Sequence, residues 1–251
     1  MTAGSGTGPR VLAVRNAPRS GPGRLSSWLA EDGIALVEVE GAAAPDRAEE
    51  FGAVILLGGG LLPDDDVRAP WLPAQRAFAR RAVADGLPLL GICLGAQVLA
   101  LAAGGTVRGS HGQAERGSCV VALRAEAATD PLFRALPRRF PVIQNHRDQI
   151  TALPPGAVHL ASSDACPVQA FRLGRRAWGV QFHPEADADR LARWDEAALA
   201  DEGIDLAGLH ARARTAEPAS ADAARRLVAA FATVVRDHAG SRTGQAARKY
   251  A

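Results

Sequence analysis

The sequence predicts an α/β protein with an open, mostly parallel β-sheet, helices on both faces, a small antiparallel extension and a helical C-terminal segment. In the first 105 residues, short apolar runs alternate with stretches of helical periodicity, as expected for parallel strands joined by crossover helices. After Gly105 the apolar runs follow one another with few helical stretches between them, which favours hairpins. From Asp187 onward helical periodicity dominates.

The individual elements follow in order along the chain. Apolar runs predict strands at 10–15, 34–39, 53–60 and 88–92, then at 118–123, 140–144, 158–163, 168–173 and 177–182. Helical periodicity predicts helices around Leu25–Leu29, at 71–86, from Leu94 onward, and at 187–200, 205–215 and 220–238. Glu217-Pro218 predicts a break before the last of these helices, and Ser220 is its expected N-cap.

The predicted domain organisation is one main domain with a C-terminal addition. We expect residues 1–195 to form the domain, residues 196–240 to form a helical extension that packs on it, and residues 241–251 to form a disordered tail. The last segment has no apolar periodicity.

Composition excludes several classes of protein. The 251 residues carry 29 basic and 27 acidic side chains, a balance that gives no reason to expect nucleic acid or an anionic membrane as partner. No segment is apolar for long enough to cross a bilayer, and the N-terminus lacks the apolar region of a signal peptide. The three cysteines lack the spacing of a disulfide framework or zinc site, so we expect free thiols, a reducing compartment and a cytoplasmic location.

Cys93 lies between Gly91 and Gly95 at the point where a predicted strand becomes a helix. This pattern fits the nucleophile elbow, a strained turn that requires small neighbours and projects its nucleophile above the sheet. The positive end of the following helix favours a thiolate, and the Leu94 N–H can face a developing oxyanion. The alternative is a buried structural cysteine, because cysteine is often buried.

A cysteine nucleophile needs a base, and His183 is the first candidate. It follows a predicted strand in "GVQFHPE", and Glu185 lies two residues on, where it can orient the imidazole. His146 is the second candidate, and an ordinary surface histidine is the alternative for either. The glycine turn at 58–60 ends another predicted strand and can supply a second N–H to an oxyanion.

These motifs together resemble a known family. "GICLGAQ" with "GVQFHPE" and "QNHRD" is similar to the class I glutamine amidotransferases, in particular to stand-alone, GMP-synthase-like glutaminase domains. The resemblance covers residues 10 to about 195. It implies a flavodoxin-like open sheet and a triad of Cys93 as nucleophile, His183 as base and Glu185 as orienting carboxylate.

The resemblance also implies the residues around the triad. Gln97 matches a glutamine that helps to hold the substrate, and Gly59 and Leu94 match the donors of the oxyanion N–H groups. His146 and Asp148 match a segment near the mouth of the pocket.

Three segments depart from the family pattern. Gly60 stands where relatives have proline, Arg147 stands where they have glycine, and "AERGSC" at 114–119 replaces a segment with glycine and tryptophan. The triad is intact, but the last two changes lie in segments expected near the glutamine pocket.

The resemblance implies a glutaminase that acts on L-glutamine through a Cys93 thioester, with no metal or organic cofactor. A separate synthase subunit is the expected acceptor of the ammonia, because the chain has no phosphate-binding loop of the ATP-binding type. Two alternatives stay open: a hydrolase of γ-glutamyl amides or peptides with the same triad, and a non-catalytic regulatory module on this fold.

Overall fold

The computed structural model describes residues 8–249, with side chains up to residue 242. Its strands are β1 (Arg10–Arg15), β2 (Ala35–Glu40), β3 (Ala53–Leu56), β4 (Leu89–Ile92), β5 (Thr106–Arg108), β6 (Glu115–Leu123), β7 (Arg139–His146), β8 (Gln149–Ala152), β9 (Val158–Ser162), β10 (Ala170–Leu173) and β11 (Ala177–Val180). Its α-helices are α1 (Leu25–Glu31), α2 (Leu72–Ala84), α3 (Leu94–Ala102), α4 (Glu196–Asp201) and α5 (Leu206–Lys249).

Nine strands form one mixed sheet in the order β2-β1-β3-β4-β11-β10-β9-β6-β7. The first five strands in that order are parallel, and the pairs from β11 to β7 are antiparallel. This arrangement confirms the predicted parallel sheet with an antiparallel extension. Strands β5 and β8 form a separate antiparallel pair that the sequence pattern did not predict.

The parallel strands are buried on both faces because successive side chains point to opposite sides of the sheet. Val11 and Ile55 pack in one apolar cluster with residues of α1 and α5. Their neighbours Leu12 and Leu56 pack in a second cluster with residues of α2 and α3. Helices therefore cover both faces, as predicted.

Helix α5 is continuous where the sequence predicted a break. Pro218 lies inside it, although proline removes one backbone hydrogen bond and disfavours a helix interior by about 3 kcal/mol. Apolar side chains anchor both halves: Leu209 and Ala213 pack in a cluster before the proline, and Leu227 and Phe231 pack in the main core after it. Burial of both halves outweighs the local preference of Pro218.

The C-terminal region differs from the prediction at two further places. The predicted helix at 187–200 is a 3₁₀ turn, Ala188–Arg193, followed by the short α4. Residues 241–249 continue α5 where a disordered tail was expected; residues 250–251 lie outside the described residues. Extending a helix adds a hydrogen bond per residue, and Arg242 donates to the backbone carbonyl of Phe51 at 3.2 Å.

Between residues 8 and 249 we find no helix with the length and apolar character needed to cross a membrane.

Candidate active site

Three segments meet at the carboxyl-terminal edge of the parallel strands. Strands β3, β4 and β11 are parallel neighbours in the sheet. The glycine turn at 58–60 follows β3, Cys93 follows β4, and His183 lies just beyond β11. Because parallel strands end at the same edge, segments far apart in sequence come together there.

Cys93 occupies a sharp turn between β4 and α3. Its φ of 52° and ψ of −107° are a backbone conformation that residues with side chains rarely adopt. A Cβ on Gly91 would lie 2.5 Å from the Gly95 carbonyl oxygen, and a Cβ on Gly95 would lie 2.0 Å from the Leu56 carbonyl oxygen. Backbone atoms cannot rotate away from such contacts, so the turn requires both glycines.

His183 lies beside the thiol. A Cβ on Gly58 would be 3.3 Å from His183 Cε1 and 3.6 Å from Cys93 Cβ, so both side chains border one small space. The His183 N–H donates to the Ile143 carbonyl at 2.8 Å, and its ring Nδ1 lies 2.7 Å from Glu185 Oε1. Its Nε2 has no hydrogen-bond partner among the described residues, which leaves this nitrogen for proton transfer.

The electrostatics favour a charged pair. Burial lowers the pKa of His183, but the Glu185 carboxylate and Cys93 together outweigh burial and raise that pKa to about 10. Burial raises the pKa of Glu185, but His183 and then Arg190 lower it below its ordinary value. Both shifts favour imidazolium and carboxylate at neutral pH, so His183 carries a proton that it can donate to a leaving group.

The two predicted oxyanion donors lie near the Cys93 turn. The Leu94 N–H begins α3 and has no protein acceptor within residues 8–249. Gly59 packs closely beside it, since a Cβ there would lie 3.0 Å from Leu94 Cδ2 and 3.1 Å from Asn16 Cβ. Gly60 has open space around it, and both glycines line the cavity that contains Cys93. Gly59 and Leu94 are therefore neighbours at the site.

Gln97 does not lie in the cavity wall. It is buried, and its side-chain NH₂ donates to the Asp148 carbonyl oxygen and to Gln181 Oε1, both at 3.2 Å. Gln181 in turn donates from Nε2 to Cys93 Sγ at 3.6 Å. The sequence reasoning missed Gln181, although its place two residues before His183 puts it on the same side of the chain.

The expectation that His146 lies at the pocket mouth does not fit the structure. His146 is 5 % exposed, and its Nε2 lies 3.0 Å from Glu115 Oε2, which also accepts from Gln169 Nε2 at 2.5 Å. Neither His146 nor Asp148 lines the cavity, whereas Asn145 does. Side chains alternate along β7, so Asn145 and its neighbour His146 face opposite sides.

The two remaining cysteines do not line the cavity that contains Cys93. The ligand atoms of Glu115, His146 and Cys166 lie within 4.8 Å of one another, a donor set that zinc accepts. Glu115 already accepts two hydrogen bonds, and the Cys166 thiol donates to the Val168 carbonyl at 3.4 Å. Burial raises the pKa of Cys166 to about 12 and that of Cys119 to about 11. Both thiols are therefore structural.

The cavity in front of Cys93 has a volume of about 1040 Å³, and the C-terminal region forms its outer wall with Trp194, Leu199 and Glu202. Glu202 forms an ion pair with Arg116 at 3.1 Å and a second ion pair with Arg147. Arg116 lies in the departing segment 114–119 and Arg147 is itself a departure, so both departing segments are joined to this wall through Glu202.

Comparison with known proteins agrees with this geometry. The family model "Glutamine amidotransferase class-I" matches residues 34–202, a stretch that contains Cys93, His183 and Glu185. The chain belongs to this family. The class-I amidotransferase assignment agrees with the fold, because a glutamine amidotransferase from Thermotoga maritima superimposes with a TM-score of 0.80 at 28% identity, over 89% of this chain and 98% of that one. A second amidotransferase structure, from Methylobacillus flagellatus, gives a TM-score of 0.77 at 25% identity, over 91% and 96%.

Relatives of this amidotransferase include enzymes named for glutamine hydrolysis. It is 42% identical to the glutamine-hydrolysing GMP synthase of Thermus thermophilus over 132 residues. The aligned stretch is 52% of this chain and 24% of that protein. It is also 42% identical to one subunit of the glutamine-hydrolysing GMP synthase of Thermococcus kodakarensis, over 100 residues. That stretch is 39% of this chain and 51% of that subunit. The chain thus matches between about a quarter and a half of these relatives' lengths.

Proposed function

We propose that this protein hydrolyses the side-chain amide of L-glutamine to glutamate and ammonia through a thioester on Cys93. The observation that carries the proposal is the Cys93 thiol on its strained elbow, beside a His183 ring that is held at 2.7 Å by Glu185. The names of the relatives, which state glutamine hydrolysis, support the same chemistry.

In the first half-reaction, the Cys93 thiolate attacks the γ-carbonyl carbon and a C–S bond forms. The N–H groups of Leu94 and Gly59 stabilise the negative charge that develops on the carbonyl oxygen. The C–N bond then breaks, and the leaving nitrogen takes a proton from His183 Nε2 and departs as ammonia. The γ-glutamyl group remains on Cys93 as a thioester.

In the second half-reaction, neutral His183 takes a proton from water, and the resulting hydroxide attacks the thioester. The C–S bond breaks, sulfur leaves as thiolate, and glutamate is released. Glu185 stabilises the imidazolium in both halves without receiving the proton. No step requires a metal or an organic cofactor.

The proposed partner is a synthase subunit that uses the ammonia, because the Thermococcus relative is named as one subunit of a synthase. The proposed location is the cytoplasm, where the three free cysteines would stay reduced.

A hydrolase of larger γ-glutamyl amides is the second candidate. A cavity of about 1040 Å³ is at the upper end of the range, roughly 300–1,000 Å³, of pockets that hold drug-sized ligands, and glutamine is much smaller. A substituent on the amide nitrogen could therefore occupy the space between Cys93 and the wall at Trp194.

The experiment measures ammonia or amine release from glutamine, γ-glutamyl methylamide and a γ-glutamyl dipeptide. Cys93→Ala should abolish release, and Cys119→Ala, a matched control on another strand, should retain it. Preference for glutamine supports the glutaminase, and preference for the larger amides supports the second candidate. A wild-type protein inactive on all three, alone and with cell lysate, would contradict both and favour a non-catalytic module.

A further inference from the structure

Arg24 connects three distant parts of the chain. Its Nε donates to the Pro184 carbonyl at 2.8 Å, its Nη1 donates to Glu217 Oε1 at 2.7 Å, and its backbone N–H donates to the Glu185 carbonyl at 3.2 Å. The side chain is only 9 % exposed, so these contacts are shielded from solvent. Arg24 thus joins the loop before α1 to helix α5 across the residues beside the base.

Glu217, on α5, completes the connection. Its second carboxylate oxygen, Oε2, accepts from the Ala188 N–H at 3.0 Å. We call residues 183–188 the catalytic turn, since they contain His183 and Glu185. Arg24 and Glu217 together hold this turn at its middle and at its end.

The catalytic turn has little internal structure to fix it. Its internal backbone hydrogen bond runs from Ala186 N–H to the His183 carbonyl at 3.2 Å, and His183 also bonds to Ile143. The loop before α1 lies directly against it, since a Cβ on Gly23 would be 2.1 Å from the Glu185 carbonyl oxygen. The position of the turn therefore depends on its neighbours.

We propose that Arg24 and Glu217 are positioning residues that hold the catalytic turn where Glu185 can orient His183 towards Cys93. The inference rests on the proposed glutaminase function. Both residues lie outside the stretch that the family model matches, so the family assignment does not imply them.

The chain offers a matched control. Arg225, also on α5, pairs with Asp32 at the end of α1 at 2.8 Å. This ion pair likewise joins α5 to the N-terminal part of the fold, but neither residue contacts the catalytic turn. Loss of helix docking alone should therefore affect Glu217 and Arg225 variants alike.

The first measurement is steady-state kinetics on glutamine. Glu217→Gln keeps the size of the side chain but removes its charge, and should lower kcat about ten- to a hundredfold, the scale expected for displaced catalytic groups. KM should change by less than about threefold, because the turn acts in the chemical steps.

Arg225→Ala should keep kcat within about twofold, even with a similar loss of melting temperature. Arg24→Ala combined with Glu217→Ala should be no slower than the slower single variant.

The second measurement needs no substrate. Iodoacetamide alkylation of Cys93, followed by mass spectrometry of its peptide, reports how well the paired imidazolium supports the thiolate. Glu217→Gln should slow alkylation at pH 6 about tenfold and leave the rate at pH 9.5 unchanged, whereas Arg225→Ala should match wild type at both pH values.

Two results would overturn the inference: unchanged kcat and alkylation in Glu217→Gln, or equal losses in Arg225→Ala. A wild type that releases no ammonia from glutamine would contradict the proposed function instead, and the alkylation profile would still test the positioning role.

Discussion

At the scale of single residues, the backbone at Cys93, the proposed nucleophile, is conformationally unfavourable for any residue with a Cβ. The φ of 52° at Cys93 is imposed from both sides by close packing at Gly91 and Gly95. Such strain costs about 1–3 kcal/mol and persists only where the surrounding structure enforces it. The elbow therefore places the thiol on the cavity wall at the expense of local stability.

This strain can be measured by comparing two inactive variants. Cys93→Gly should be about 1 kcal/mol more stable than Cys93→Ala, because both lack the thiol and only glycine adopts this φ without strain. Urea denaturation of the two variants gives the difference. Equal stability, or a more stable alanine variant, would show that the backbone at residue 93 is relaxed.

The charged pair makes stability depend on pH. His183 has a pKa of about 10 in the folded state and an ordinary value of 6.5, so the folded protein binds the extra proton between these pH values. The stability that protonated His183 gives to the folded state is therefore complete below pH 6.5 and is lost as pH rises towards 10. Urea denaturation at pH 6, 8 and 10 should show this decline, and Glu185→Gln should show a smaller one. The same decline of stability with pH in the wild type and in Glu185→Gln would contradict this prediction.

The sequence pointed to Cys93 and His183, the proposed reactive residues, but not to the residues that support them. Cys93 and His183 stand out because glycine and proline beside them mark strand ends, and strand ends converge in a parallel sheet. Gln181 bears no such mark, and its contact with Cys93 appears only when β4 and β11 are paired. Arg24 and Glu217 are 193 residues apart, a separation at which no local pattern predicts a contact.

At the scale of elements, the glycine turn after β3 ends at a residue with open space around it. Gly60 is exposed, a Cβ there would meet no atom within 4 Å, and its φ is not in the left-handed region. Its N–H donates no hydrogen bond among the described residues, so proline would remove none. The family resemblance implies proline at this position, and proline also restricts the preceding residue, Gly59.

Gly60→Pro should therefore raise the glutaminase rate of the isolated chain. A stiffer turn would hold the Gly59 N–H in place more of the time, and a missing oxyanion donor costs about 10²–10³ in rate, which bounds the gain. Gly60→Ala, which restricts the backbone less, should give a smaller increase. Ammonia release without any partner is the measurement, and a folded proline variant with no gain would contradict the prediction.

Element types were predictable where burial and periodicity agree. Strands β1, β3 and β4 read as apolar runs because parallel strands are covered on both faces. Local signals failed where distant packing decides: Pro218 predicts a break, but apolar contacts on either side keep α5 continuous. The short β5 and β8 have three and four residues, too few for a recognisable alternation.

At the scale of the whole molecule, α5 completes the core. It packs against α1, β6 and β7, and its Leu227 and Phe231 share a buried cluster with Val11 of β1. The family match ends at residue 202, before this helix begins. The matched stretch alone would thus leave one face of its sheet uncovered.

Removal of α5 should therefore unfold the protein. A chain truncated after residue 204 should be insoluble or lack a cooperative unfolding transition, because the apolar face beneath α5 would be exposed to water. Phe231→Ala should lower the free energy of unfolding by about 3–5 kcal/mol, and Phe231→Leu by much less. A soluble, cooperatively folded truncation would show that α5 is dispensable for the core.

The link from Glu217 to the catalytic turn also has a consequence for synthesis on the ribosome. A chain is made from its N-terminus, so Cys93, His183 and Glu185 all leave the ribosome before Glu217 does. The turn that aligns the base lacks its last contact until that residue emerges. A nascent chain should therefore carry every proposed reacting group and still hydrolyse glutamine slowly until Glu217, in the first third of α5, has emerged.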